Sequence, residues 1–184
     1  MIWSVNEAIT GVFKPDYISA QFAIGPQIEA DDIVCISEAG FRGVINARPD
    51  TEDGDFMRAE EAAGLAAASG LGYIHTPTEN NAIFEADAID RFERALIELP
   101  GPIFAHCKSG TRAAILWALV AVRHQPTEKV ITQLNASGQE LRFLEDELRA
   151  ERDSAIRSPL RLRDEALVSL GRSPLLMGNK LKQP

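Results

Sequence analysis

The sequence has little of what an extracellular, membrane or nucleic-acid protein needs. Only two cysteines, Cys35 and Cys107, occur in 184 residues. That is too few for a disulfide framework and suggests a reducing compartment. No apolar run approaches the about 20 residues of a membrane span. Residues 1–14 have neither the basic start nor the apolar stretch of a secretory leader. A cytoplasmic protein without a membrane partner is therefore expected. Basic residues are in deficit, with 19 Lys and Arg against 27 Asp and Glu and a formal net charge of −8. Phosphate backbones demand clustered cations, and the most basic stretch, 149–163, is interleaved with acids, so no nucleic-acid partner is expected. His75 and His124 show no metal-ligand spacing with each other or with Cys107. No metal and no cofactor are expected. What is present is ordinary: 45% hydrophobic and 25% charged residues, enough for one domain with a sizeable core.

Along the chain, apolar strands alternate with helices. Residues 18–24 place Ile18, Ala20, Phe22 and Ile24 on one side and read as one strand, broken by Gly25-Pro26. A helix is expected over 29–39, with acids in its first turn and Gly40 at its C′ position. Residues 43–47 form a second strand, followed by the polar loop 48–55. An Ala-rich helix over 56–69 ends at Gly70. A third strand over 73–76 is stopped by Pro77, and 78–84 is a loop. Helix 85–99 spaces Ile89, Phe92, Leu96 and Leu99 at three and four. Pro100-Gly101-Pro102 turns the chain into a fourth strand ending at Cys107, and an apolar helix runs from Ala113 to Val122. Beyond Gln125-Pro126 the pattern is helical: 127–136, then 139–153 with the apolar seam Leu141, Leu144 and Leu148, expected to pack on the domain. A last polar helix starts at Ser158-Pro159, and a loose tail begins at Pro174. Trp3 and Phe13 are expected to pack as an N-terminal flap. The fold class expected is α/β, a mostly parallel sheet with helices on both faces and extra C-terminal helices. The α/β domain would take 1–155 and a helical extension and tail 156–184. Sites in open parallel sheets lie at the carboxyl ends of strands. Loops 48–55, 78–84 and 107–112 should therefore converge on one cleft.

The stretch with most chemical content is Ile103-Phe104-Ala105-His106-Cys107-Lys108-Ser109-Gly110-Thr111-Arg112-Ala113. It reads as strand, small polar loop and helix start. A helix start offers unpaired N–H groups and the positive end of the macrodipole, a ready oxyanion site. The same N–H groups and Arg112 favour the charged sulfur, so Cys107 is expected to be a nucleophile at neutral pH. Arg112 can fork two N–H bonds to the anion under attack. A buried core thiol is the plainer alternative. Against it, His before Cys, a loop Gly, a terminal Arg and a helix start coincide within seven residues.

These residues, with Gln27-Ile28, the run from Ala39-Gly40-Phe41-Arg42-Gly43-Val44-Ile45 through Asn46-Ala47-Arg48-Pro49-Asp50, and Pro77, resemble the bacterial beta-lactamase-hydrolase-like phosphatase family. That family has the fold of dual-specificity protein tyrosine phosphatases. The resemblance spans about Tyr17 to Val122. It implies a phosphatase in which Cys107 takes the phosphoryl group as a cysteinyl-phosphate. Arg112 and the N–H groups of Lys108, Ser109, Gly110, Thr111 and Arg112 would cradle its oxygens, and His106 would tune the thiolate. The substrate would be a phosphorylated small molecule or phosphoprotein, and free phosphate or sulfate could occupy the loop.

Three departures from the tyrosine phosphatase pattern stand out. Four residues, not five, separate Cys107 from Arg112, a ring similar to that of rhodanese-type sulfurtransferases. Ala113 replaces the hydroxyl residue that helps the cysteine leave, unless Ser109 or Thr111 substitutes. No general-acid Asp follows the third strand; Glu79 is the nearest carboxyl there, and Asp50, Glu52 and Asp55 lie in another candidate loop. A sulfur-transfer enzyme carrying a persulfide on Cys107, with a sulfur donor as its partner, is therefore an alternative. A non-catalytic oxyanion-binding module is a third. His before Cys is a phosphatase habit and favours the first. Arg48, ending a strand in the expected cleft, is a loop anchor or a second anion contact. Asn80-Asn81 reads as turn chemistry, Cys35 as a core thiol, His75 as a strand residue near the cleft and His124 as a helix-end cation.

Overall fold

A computed structural model describes residues 13–157. Its elements are β1 (Asp16–Ser19), β2 (Phe22–Gly25), α1 (Ala30–Glu38), β3 (Gly43–Asn46), α2 (Ala59–Ala68), β4 (Gly72–His75), α3 (Ala86–Glu98), β5 (Ile103–His106), α4 (Thr111–His124), α5 (Thr127–Ala136) and α6 (Glu145–Arg157). The strands form one sheet in the order β1-β2-β5-β3-β4. The three pairings from β2 to β4 are parallel, and β1 alone runs antiparallel, against β2. The expected α/β class, with helices on both faces, is what the chain adopts.

One element differs. The stretch 18–24 is not one strand but a hairpin, with Ser19 pairing Phe22 across a register shift. Gln21 N–H donates to the Ser19 hydroxyl at 3.2 Å and tightens the turn. The apolar alternation ran straight through this turn because Ile18 and Phe22 are both buried on either side of it. β2 is buried on both faces, as an inner parallel strand must be. Two helix bounds also shift. α2 starts three residues later than its apolar pattern, because Phe56 and Met57 are buried as loop residues ahead of it. The stretch 139–153 becomes a single 3₁₀ turn at Arg142–Leu144 followed by α6.

Two cores flank the sheet. Ile33 and Ile36 of α1 and Ala62 and Ala66 of α2 close one face over Val44 and Phe104. The other face holds α3 and α4, with Ile45, Ile103, Ala105 and Cys107 beneath them. α4 is buried from Arg112 through Val122, as a helix apolar all round should be. α6 packs on it. Leu141, Leu144 and Leu148 are all buried in that core, so the apolar seam meets the domain. A charged cluster fastens the same contact. Arg123 pairs with Asp90, Glu93 and Glu151, and His124 Nε2 lies 2.6 Å from Glu93. Arg152 donates to the Val122 and Gln125 carbonyls, satisfying the end of α4.

Phe13 packs edge-on against Phe104, ring centroids 5.1 Å apart, and against Phe41. Trp3, the helix from Ser158-Pro159 and the tail from Pro174 lie outside the described residues, as does most of the expected extension 156–184. Among the described residues no helix is long and apolar enough to cross a membrane.

Candidate active site

Gly25, His106, Asn46 and His75 align in one row across β2, β5, β3 and β4. The four parallel strands thus end level, and the connections leaving them meet on one edge. Cys107 follows directly from β5 and is only 1% exposed. The chain then turns through Lys108 and Ser109, both exposed, to Gly110, the N-cap of α4 at φ +92°. Gly110 N–H donates to Cys107 Sγ at 3.2 Å. A side chain at 110 is excluded twice over: the backbone is left-handed, and a Cβ would come within 3.1 Å of the Gly25 carbonyl. The loop is also tied to the β2–α1 connection by Gln27 N–H donating to Lys108 O. Cys107 therefore sits at the start of a fourteen-residue helix with a backbone donor already on its sulfur.

Arg112 is buried, and its guanidinium is held from three sides. Nη1 donates to the Ala47 carbonyl at 3.1 Å, Nε and Nη2 donate to Asn80 Oδ1, and Nη2 donates to Glu52 Oε1 at 2.5 Å. The other Glu52 oxygen accepts from Arg48 Nε at 3.0 Å. Burial alone would raise the Glu52 carboxyl, but hydrogen bonds and charge from Arg112 and Arg48 hold it below its ordinary value. Glu52 is therefore an ionised bridge between two arginines and unsuited to the role of acid. Arg48 also donates to Gln27 Oε1 and the Asp53 carbonyl, and lies 3.4 Å over the Phe56 ring. These contacts make it an anchor of the 48–55 loop.

A cavity of about 520 Å³ opens here, lined by Glu52, Asp53, Glu79, Asn80, Asn81, Lys108 and Arg112. The three expected loops contribute to it together. Glu79 lines it, with its Oε1 accepting from the Thr51 hydroxyl at 3.1 Å. Asp53 lines it as well. Asp50 does not: its carboxylate accepts the Ala59 N–H, capping α2. The Ser109 hydroxyl is given to Thr111 Oγ1 at 3.2 Å. Ala113 is fully buried. Among the described residues no cluster of three or more His, Cys, Asp and Glu side chains could hold a metal ion.

His106 points to the opposite face of the sheet from Cys107, stacked on Phe104 with centroids 6.3 Å apart. It is fully buried. Burial first, then the charges of His75 and Arg48, push its pKa down to about 3 against an opposing contribution from the Cys107 backbone. The imidazole is thus neutral at pH 7, and no imidazolium charge supports the sulfur. His75 Nε2 lies 2.8 Å from the Arg48 carbonyl and must carry the proton there. It is a second strand-end contact holding the 48–55 loop.

Residues 16–123 match the family described as beta-lactamase hydrolase-like protein, phosphatase-like domain. The chain belongs to this family. The phosphatase-like domain is 37% identical over 105 residues to the beta-lactamase hydrolase-like protein of Xylella fastidiosa. That match covers 57% of this chain but only 24% of the relative. Among solved structures it is similar to a candidate phosphatase from Neisseria meningitidis, with a TM-score of 0.65, 23% identity, and coverage of 74% of this chain and 96% of that one. It is also similar to the core catalytic domain of the PP-IP phosphatase SIW14 from S. cerevisiae, with a TM-score of 0.52, 10% identity, and coverage of 79% and 89%. The fold is that of the protein tyrosine phosphatase-like phosphatases.

Three contributors to the phosphatase-like site escape a sequence reading: Glu52 as the anion between two arginines, Asn80 as a double acceptor for Arg112, and Asp53 on the cavity wall. One signal was available. A buried Arg must find acceptors, so Arg112 implied at least one carboxylate partner from a converging loop.

Proposed function

We propose that the domain is a cysteine-dependent phosphatase with Cys107 as nucleophile. The observation that supports this is the setting of Cys107 Sγ: just ahead of α4, with the Gly110 N–H on it, buried behind a loop whose Lys108 and Arg112 line the cavity. In the reaction, Sγ attacks phosphorus and the bond to the leaving oxygen breaks. The loop N–H groups and Arg112 take the charge on the three remaining oxygens. Water then displaces Cys107 from the cysteinyl-phosphate and releases phosphate. The leaving oxygen needs a proton, worth about 10²–10⁴-fold. Glu79 and Asp53 are the carboxyls on the cavity wall not paired to an arginine side chain. The substrate is a phosphorylated small molecule or a phosphoprotein. Purified protein should release phosphate from an aryl phosphate, and Cys107→Ser should abolish it. Unchanged activity in that variant would remove Cys107 from the mechanism.

A specific observation favours a second reading, sulfur transfer. Ala113 offers no hydroxyl and that of Ser109 is given to Thr111 Oγ1, which leaves the Thr111 O–H to help the cysteine leave. A sulfurtransferase needs neither that hydroxyl nor an acid. The Cys107 thiolate would take the outer sulfur of thiosulfate, releasing sulfite, and cyanide would remove that sulfur as thiocyanate and restore the thiolate. Thiocyanate production with intact aryl phosphate, and a persulfide on Cys107 by intact mass, would decide for this reading.

A further inference from the structure

A guanidinium has five N–H groups. Four of those on Arg112 are already engaged within the protein: two on Asn80, one on Glu52 and one on the Ala47 carbonyl. Among the described residues only one Nη1 N–H is left for an incoming anion. An oxyanion cradle works by forking guanidinium donors onto the anion. Here one prong is already on an anion, the carboxylate of Glu52. Only Oε1 of that carboxylate is on Arg112, so the anion is held there by a single prong.

The surroundings show how the pair could part. Glu52 and Arg112 both line the cavity, so an anion entering it meets them together. Glu52 holds a second cation, Arg48, through its other oxygen at 3.0 Å. Arg48 is itself fixed by Gln27, the Asp53 carbonyl and the Phe56 ring, and does not line the cavity. Glu52 can thus leave Arg112 without being left unpaired. Asn80 and the Ala47 carbonyl are neutral acceptors that keep Arg112 in place while the exchange occurs.

We propose that Glu52 is a resident anion of the loop: it occupies Arg112 in the empty site, and a substrate oxyanion enters by displacing it onto Arg48. This rests on reading residues 107–112 as an oxyanion cradle. Glu52 is then a positioning residue acting through Arg112. It raises the threshold for binding, so that singly charged carboxylates compete poorly with it while a doubly charged phosphate or sulfate wins on charge.

Sulfate titrated by calorimetry into wild type, Glu52→Gln and Arg112→Ala tests this. Removing the competing charge should tighten sulfate binding about tenfold in Glu52→Gln, and Arg112→Ala should lose it. If Glu52→Gln binds sulfate as wild type does or more weakly, while Arg112→Ala still loses binding, Glu52 is only a brace. The proposal is then overturned with the cradle intact. If neither wild type nor Glu52→Gln binds sulfate, the cradle itself fails and the proposal with it. A second measurement needs no substitution of Glu52. On the labelled wild-type protein, the Glu52 carboxylate ¹³C signal should shift in step with the Arg112 Nε–H signal as sulfate is added. A Glu52 signal that stays fixed at saturation overturns the proposal.

Discussion

Replacing Gly110 by Ala tests the loop where geometry is most restrictive. Gly110 and Gly138 both have positive φ, +92° and +82°. A Cβ at 138 has nothing within 4 Å, whereas one at 110 meets the Gly25 carbonyl at 3.1 Å. Gly138→Ala therefore carries the left-handed penalty alone, about 1–2 kcal/mol. Gly110→Ala carries that penalty plus a contact that backbone must yield to, a further about 1–3 kcal/mol by analogy with overpacked cores. The segment pushed is Gly25-Pro26-Gln27, whose Gln27 N–H holds Lys108 O. The loop and the β2–α1 connection should then separate, and the N–H on Cys107 Sγ should move with them. Urea unfolding of both variants should give Gly110→Ala the larger loss, and sulfate binding should fail in Gly110→Ala only. Equal losses in stability with sulfate binding kept in both would refute the reasoning.

Arg123→Met leaves Glu93, itself 4% exposed, without its guanidinium. Breaking such a buried pair costs about 3–5 kcal/mol, read as a lower urea midpoint; a change under about 1 kcal/mol would show the cluster to be a bystander. His106 has its pKa lowered in the fold from 6.5 to about 3. The unfolded chain therefore takes up a proton that the folded chain refuses, and stability should be full above pH 6.5 and fall from there toward pH 3. His106→Asn should remove the slope between pH 6.5 and 5, and an unaltered slope would mean the imidazole is not held neutral. Glu93 is lowered in the fold, burial being outweighed by His124 and Arg123. Its contribution is present above its ordinary 4.5 and is lost as pH falls further, a second, more acidic step in the same titration. In the phosphatase reading, either Glu79→Gln or Asp53→Asn should lower kcat/KM on an alkyl phosphate by about 10²–10⁴, and far less on a nitrophenyl phosphate. Loss in neither would remove both carboxyls from acid duty.

The elements that carry the site were legible where local pattern and strand order suffice. The runs 43–47 and 103–105 are apolar because inner parallel strands are covered on both faces, 73–76 is the half-buried edge strand, and the ends of all three named the loops that line the cavity. The helix read from Ala113 begins at Thr111, two residues earlier. The hairpin at Ser19-Ala20-Gln21-Phe22 was not legible, since alternation of period two continues across a tight turn when both arms face one core. The partners of Arg112 were not legible either. They come from positions 32 and 60 residues away, Asn80 and Glu52, and sequence spacing carries no information about such contacts. The neutrality of His106 follows from full burial beside Arg48 and His75, a property of the folded sheet end rather than of the His-Cys pair.

If residues 107–112 activate Cys107 electrostatically and bind an oxyanion, as proposed, the two thiols must differ in reactivity. Exposure alone predicts the opposite order of thiol reactivity, because Cys35 is half-buried and Cys107 is 1% exposed. Labelling with iodoacetamide at pH 6, followed by peptide mass spectrometry, separates the two. Cys107 should be alkylated well before Cys35, and sulfate or phosphate should slow Cys107 while leaving Cys35 unchanged. Alkylation of Cys35 first, with no oxyanion effect on Cys107, would contradict the proposal.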